Sequence, residues 1–324
     1  LLDVEKNGEN SDKLLSKATV AAIADQEYTG DQIRPTLTVT SADKKTLKEG
    51  TDYTVTYNNN VLVGTATVTI TGTGDYAGTI TTAFDIVGIS INDATVTVAN
   101  QQTYTGSALT PAVTVKVDGK ELTTADYDVA YSNNTNVGTA TVTITGKGNY
   151  AGTATAKFEI VKANIQNASV TGVANRYYTG KARTQTDLRV YIAGKVLSTD
   201  NYSVVYTNNK NIGQASLTIT GKGNYTGTIT KTFIVKPRKV SNVKVTKGKK
   251  RVTVRYKKQN GARYQIYYKK AGTKAKTVKT AAVKRTIKKL KSGKTYTIKV
   301  RAYKKIGSKT YYGKYSKAKK VRVR

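Results

Sequence analysis

The stretch Val137–Ile160, VGTATVTITGKGNYAGTATAKFEI, is written almost unchanged at Val63 (VGTATVTITGTGDYAGTITTAFDI) and again at Ile212 (IGQASLTITGKGNYTGTITKTFIV). Its surroundings repeat too. Tyr57, Tyr131 and Tyr206 lie 74 and 75 residues apart, each ahead of an Asn pair: Asn59-Asn60, Asn133-Asn134, Asn208-Asn209. Gly64, Gly138 and Gly213 follow, then Tyr76, Tyr150 and Tyr225. The three Phe of the chain, Phe84, Phe158 and Phe233, share one repeat position, and YTG opens each unit at Tyr28, Tyr104 and Tyr178. A period of about 75 residues is too long for a solenoid repeat and suits a small domain with its own core.

Within each unit the local pattern is strand. In TATVTIT, Ala66, Val68 and Ile70 alternate with Thr65, Thr67, Thr69 and Thr71. This is period 2 with β-branched residues on both faces. The same alternation sets Tyr53, Val55 and Tyr57 on one face of their strand, and Ile80, Phe84 and Ile86 on one face of theirs. Asn-Asn, Gly-x-Gly and Asp-Tyr clusters punctuate at short intervals, as turns require. The expected fold is all-β, a tandem array of small antiparallel β-sandwiches. In the third unit QTDLRVYI replaces PAVTVKV, and the apolar alternation resumes one residue late at Leu188, Val190 and Ile192. A bulge would absorb that residue without flipping the strand. Gln185 stands there in place of Pro35 and Pro111.

Charge divides the chain. The net +34 is uneven: residues 1–236 hold 21 Lys+Arg and 20 Asp+Glu, whereas residues 237–324 hold 33 Lys+Arg and no acid. The break falls at Lys236-Pro237, and an asymmetry of this size implies a polyanionic partner for the second part. The chain also has no Cys and no His. That excludes thiolate zinc sites, thiol nucleophiles and Ser-His triads, and it leaves the fold resting on apolar cores alone. The recurring Asp52, Asp126 and Asp200 read as turn residues rather than catalytic acids. GTGDYAG and GKGNYAG join strands, so they are weak nucleotide signals. No cofactor, metal or enzymatic activity is expected. No Lys recurs at one strand position through the three units, which speaks against Lys–Asn crosslinks. No run is apolar enough to span a bilayer. The chain opens LLDVEKNGEN, without Met, and reads as a mature or truncated piece of something longer; KKVRVR at its end carries no sorting motif.

Downstream of Pro237, LKSGKTYTIKVRAY (Leu290 to Tyr303) resembles the fibronectin type III signature, in which a Leu precedes a corner Tyr and an alternating strand follows. Tyr296 matches the corner Tyr, GKYSKAKKVRV matches the final strand, and Tyr256 stands where that family usually carries a core Trp. The upstream text GTDYTVTYNNN…VGTATVTITGTGDYAGTI…F resembles the tandem immunoglobulin-like repeats of Gram-positive surface proteins, and implies a spacer role outside the cytoplasm. The expected division is 1–15 leader or linker, 16–87, 88–161 and 162–235 Ig-like repeats, and 236–324 a basic type III domain.

Alternation places the charges of that last domain. Tyr264, Ile266 and Tyr268 should face inward with Tyr296, Ile298, Val300, Ala302, Val321 and Val323. Tyr267, Lys269, Lys299, Arg301, Tyr303, Lys320, Arg322 and Arg324 should face outward. In a type III sandwich these three strands share a sheet, so their outer face would interleave Tyr with cations, as suits a surface that tracks a polyanion. The expected partner is an anionic cell-wall polymer, met by a secreted or surface-bound monomer. Two alternatives stand beside it. One is an adhesin binding glycan or a host surface protein, with glycan contacts at Tyr76, Tyr150 and Tyr225. The other is nucleic-acid binding by the basic domain.

Overall fold

The computed structural model describes residues 11–324. They form short strands and three single-turn 3-10 helices around four separate hydrophobic clusters. The chain is a tandem array of small β-sandwiches. It divides into two compact units, the described residues up to Val161 and Lys162–Arg324, each enclosing two clusters.

Each repeat is built on one four-stranded sheet. In the second, Tyr127–Ser132, Gly138–Gly146, Thr153–Val161 and Gln101–Thr103 pair in that order. The alternating text makes this sheet: Ala140, Val142 and Ile144 are fully buried, as are Ala66, Val68 and Ile70 in the first repeat. The shared Phe84, Phe158 and Phe233 sit in the three clusters. A wholly antiparallel sandwich was expected, but one edge of each sheet is parallel. Gln26–Glu27 runs along Ile86, Gln101–Thr103 along Glu159, and Arg176–Tyr177 along Val235. The entering chain crosses to the far edge of the sheet, which a hairpin cannot do. The start of the first sandwich also differs. Leu15, assigned to the leader by sequence, is fully buried in the first cluster, and its N–H donates to Ala77. Ile91 and Ile165 make the same bond to Ala151 and Thr226. Residues 1–10 of the expected leader lie outside the described residues.

The repeated polar text is turn chemistry. Asn59, Asn133 and Asn208 all adopt positive φ, which Asn tolerates better than most residues. The second Asn of each pair clasps the facing loop twice. Its backbone carbonyl accepts from the N–H of Ile33, Leu109 or Arg183, and its Nδ2 donates back to that residue's carbonyl at 2.8–2.9 Å. Asp126 Oδ2 accepts from Thr123 N–H and Oγ1 at 2.8 and 2.7 Å, and Asp52 accepts from Lys48 N–H at 2.8 Å. The Thr123 hydroxyl holds the Asp126 carboxyl below its ordinary value, with the Thr123 backbone N–H adding to it. Tyr57 and Tyr131 donate to the carbonyls of Pro35 and Pro111. Gln185 replaces that Pro and has an N–H, so the bond reverses: Gln185 N–H donates to Tyr206.

The third repeat takes its extra residue as a bulge. Bends at Thr186 and Asp187 let Val190 return to a fully buried position opposite Val170. Asp187 presses against Gly172, where a Cβ would lie 1.9 Å from its carbonyl oxygen and φ is +79°. Only glycine fits both demands.

The basic module has two sheets. Lys244–Gly248, Arg251–Arg255 and Lys284–Ile287 form one. Lys276–Thr280, Arg263–Lys270, Thr295–Ile306 and Lys309–Tyr312 form the other, with Lys319–Arg322 pairing the first half of the long central strand. Val252, Val254 and Tyr256 pack across the interior against Tyr264, Ile266, Ile298 and Val300. Tyr296 fills the corner and accepts the N–H of Lys291 at 3.1 Å. Tyr256 is buried in the core, its ring 4.6 Å from Tyr264 and its hydroxyl donating to Ala282 O at 2.9 Å. Burial pushes its phenol well above the ordinary range.

Candidate polyanion interface

The outward side chains of the five-stranded sheet fall in rows fixed by strand register. Lys269, Thr297 and Lys320 stand abreast, then Tyr267 beside Lys299, Gln265 beside Arg301, and Arg263 beside Tyr303 and Tyr312. The inward partners Ile266, Ile298, Val300 and Ala302 are fully buried, so the register cannot slip without exposing them.

On this face cations and rings form one continuous chain of contacts. Lys299 Nζ lies 5.3 Å from the Tyr267 ring centre, and Tyr267 meets Tyr315 edge-on at 6.0 Å. The Arg301 guanidinium is held between two rings, 4.5 Å from Tyr315 and 3.8 Å from Tyr312. Tyr312 lies 5.7 Å from Tyr303, and Lys279 Nζ covers Tyr303 at 5.4 Å. Gln265 locks the middle. Its Oε1 accepts from Arg301 Nε at 2.7 Å and from the Tyr315 hydroxyl at 3.4 Å. Each cation–ring contact stabilises by about 0.5–2 kcal/mol, more as it loses water. The ladder therefore holds positive charge on a rigid face without any carboxylate.

The eight residues expected on this face do not all serve alike. Lys269 and Lys320 are exposed, and Lys299 and Tyr267 are half-exposed. Tyr303 does point outward, but it is only 6% exposed under Tyr312 and Lys279, so its ring offers no stacking surface. Arg301 is committed to its ring sandwich. Arg322 donates from Nε to Gly293 O at 3.1 Å. Arg324 lies past the strand end, its carbonyl accepting from Lys250 N–H, and does not join the rows.

Lys279, Tyr312 and Tyr315 were missed as members, whereas alternation does turn Gln265 outward beside Tyr267 and Lys269. Tyr315 lies between strands, where alternation assigns no face; Ser316 fixes it by donating to Val300 O and accepting Val300 N–H on Oγ. The opposite sheet is basic too, with Lys244, Arg255 and Lys284 abreast in one row. Like charges so placed repel. All three ion pairs among the described residues, Lys13–Asp75, Lys116–Glu121 and Lys147–Asp128, lie upstream of the basic module.

The tyrosines expected to contact glycan are placed otherwise. Tyr76 and Tyr150 are buried in the first and second cores, and Tyr225 packs half-buried on the third. Their rings pack inside the sandwiches, so Tyr76 and Tyr150 have no open face for a sugar. Among the described residues no group of His, Cys, Asp or Glu is placed to hold a metal, and no helix is long and apolar enough to cross a membrane.

Comparison with known proteins assigns residues 236–317 to the fibronectin type III domain. No curated protein matches the chain. Among solved structures, a chain of a cytokine receptor complex aligns with 56% of this chain and 90% of its own length, at 15% identity and a TM-score of 0.31.

Proposed function

We propose that the chain is a non-catalytic region of an exported bacterial surface protein, in which the three repeats act as a stalk and the basic type III domain docks on a phosphate-bearing anionic wall polymer. The observation that carries this reading is the five-stranded face: a tyrosine ladder with Lys269, Lys299 and Lys320 presented on it, in a domain without a single acid. Such a domain repels itself, and a polyanion relieves that cost. Docking by exchange of counterions weakens steeply with salt.

Full-length protein should pellet with walls bearing polyol phosphate and release as sodium chloride rises. Replacing Lys269, Lys299 and Lys320 together by Gln should weaken pelleting roughly tenfold or more. Unchanged pelleting would remove the face from the account. Equal affinity for DNA and wall polymer in the same buffer, with the intact protein found inside cells, would transfer the reading to nucleic acid.

A further inference from the structure

Within Lys162–Arg324, a cleft of about 790 Å³ opens where the third repeat meets the basic domain. Arg176 and Arg183 line it from the repeat, Arg238 and Lys239 from the joining segment, and Lys314 from the basic domain. No carboxylate lines it, and none of the five cations makes an ion pair among the described residues. The Nε atoms of Arg176 and Arg183 are buried and meet no hydrogen-bond acceptor. Arg176 keeps one bond, from Nη2 to Thr186 Oγ1 at 3.2 Å. A buried guanidinium N–H left without an acceptor is costly, so two in one cleft require a reason.

The sister repeats supply a comparison inside the chain. Counting back two residues from the YTG tyrosines, Arg176 occupies the place of Gln26 and Gln102. Arg183 occupies the place of Ile33 and Leu109, as its shared backbone bond to the Asn clasp shows: Asn60, Asn134 and Asn209 hold these three residues alike. Ile33 belongs to the first core and Leu109 packs on the second. Only the repeat adjoining the basic domain carries arginine at both positions, so fold alone does not call for them. The far wall is fixed as well. Gln259 takes Arg238 N–H on Oε1 and returns Nε2 to its carbonyl, at 3.1 and 2.8 Å, while Tyr264 holds Gln259. Gly313, next to Lys314, approaches Pro237 so closely that a Cβ would lie 2.7 Å from its carbonyl oxygen.

We infer that this cleft is a discrete phosphate-ester site, separate from the ladder face. Two arginine forks match phosphate oxygens in a way that lysines alone do not, and the three further cations suit a dianion or consecutive phosphates along a chain. The site stands whether or not the ladder face docks on a wall.

The test uses the full chain and follows the Arg Nε–Hε NMR signals during titration at constant ionic strength. One arm adds inorganic phosphate, the other a glycerophosphodiester. Saturable shifts of the Arg176 and Arg183 signals are expected. Saturation by phosphate only assigns the site to a terminal group; saturation by both assigns it to phosphates within a chain. The double variant Arg176→Gln/Arg183→Leu restores residues that the sister repeats already fold with, and should weaken the response at least tenfold at the remaining Arg238 signal. Lys249→Gln, the same type of charge loss outside the cleft, should leave it within twofold. Linear shifts spread over the whole basic domain, or an unchanged Arg238 response in the double variant, would overturn the site.

Discussion

Arg301 contributes more than its charge. Its guanidinium fills a flat gap between Tyr312 and Tyr315 and its Nε satisfies Gln265. Arg301→Ala should therefore destabilise the basic domain by about 2–3 kcal/mol, read as a lower urea midpoint. Arg301→Lys should recover less than half of that, since an ammonium keeps the charge but not the plane. At Asp126 the linkage concerns pH. Its carboxyl titrates below the ordinary range because Thr123 stabilises the charged form. The stabilisation is fully present above the unfolded carboxyl's pKa and is lost as pH falls through the folded one. Thr123→Val should thus lower stability at neutral pH while flattening its acid dependence; an unchanged acid slope would deny Asp126 that role. Sequence placed Asp126 and the Asn pairs in turns because each recurs three times in a turn setting. It could not show the double clasp, which joins residues about 25 positions apart through a side chain and a backbone at once.

Among the strands, alternation was a reliable guide to orientation and a poor one to exposure. It put Tyr303 and Arg301 on the outer face, where they lie. It could not show that Tyr312 and Lys279 close over Tyr303, because covering depends on neighbouring strands and not on the strand itself. Tyr315 escaped for a related reason: it lies outside any regular strand. The parallel edges were also invisible, since pairing direction leaves no mark on a two- or three-residue strand. The bulge of the third repeat was legible, because one extra residue between Gln185 and Val190 had to go somewhere. Its partner Gly172 was not, as the contact is made by backbone. Gly172→Val, the residue of the second repeat at this place (Val98), should destabilise the third sandwich by about 2–4 kcal/mol through positive φ and overlap with Asp187. Hydrogen exchange should report this loss in Ser169–Ile192 and leave the first unit unchanged. Equal protection in the variant would mean that the bulge relaxes freely.

At the scale of the whole molecule, two electrostatic characters share one construction principle. Residues 1–236 balance 21 cations against 20 acids, whereas the basic domain balances its charge against nothing in its own sequence. Aromatic rings and a buried core hold it together in spite of that. A domain of this kind should gain stability from any polyanion that occupies its face, and from added salt through screening. Its melting temperature should rise with sodium chloride while that of the first unit stays nearly constant. The most direct measurement is pelleting of two pieces, the compact unit Lys162–Arg324 and the residues up to Val161, with walls bearing polyol phosphate across a sodium chloride series. Lys162–Arg324 should pellet at low salt, release as salt rises, and bind much more weakly once Lys269, Lys299 and Lys320 are Gln, while the first piece stays in solution throughout. Equal pelleting of both pieces, or binding by Lys162–Arg324 that ignores salt and the three substitutions, would contradict this expectation.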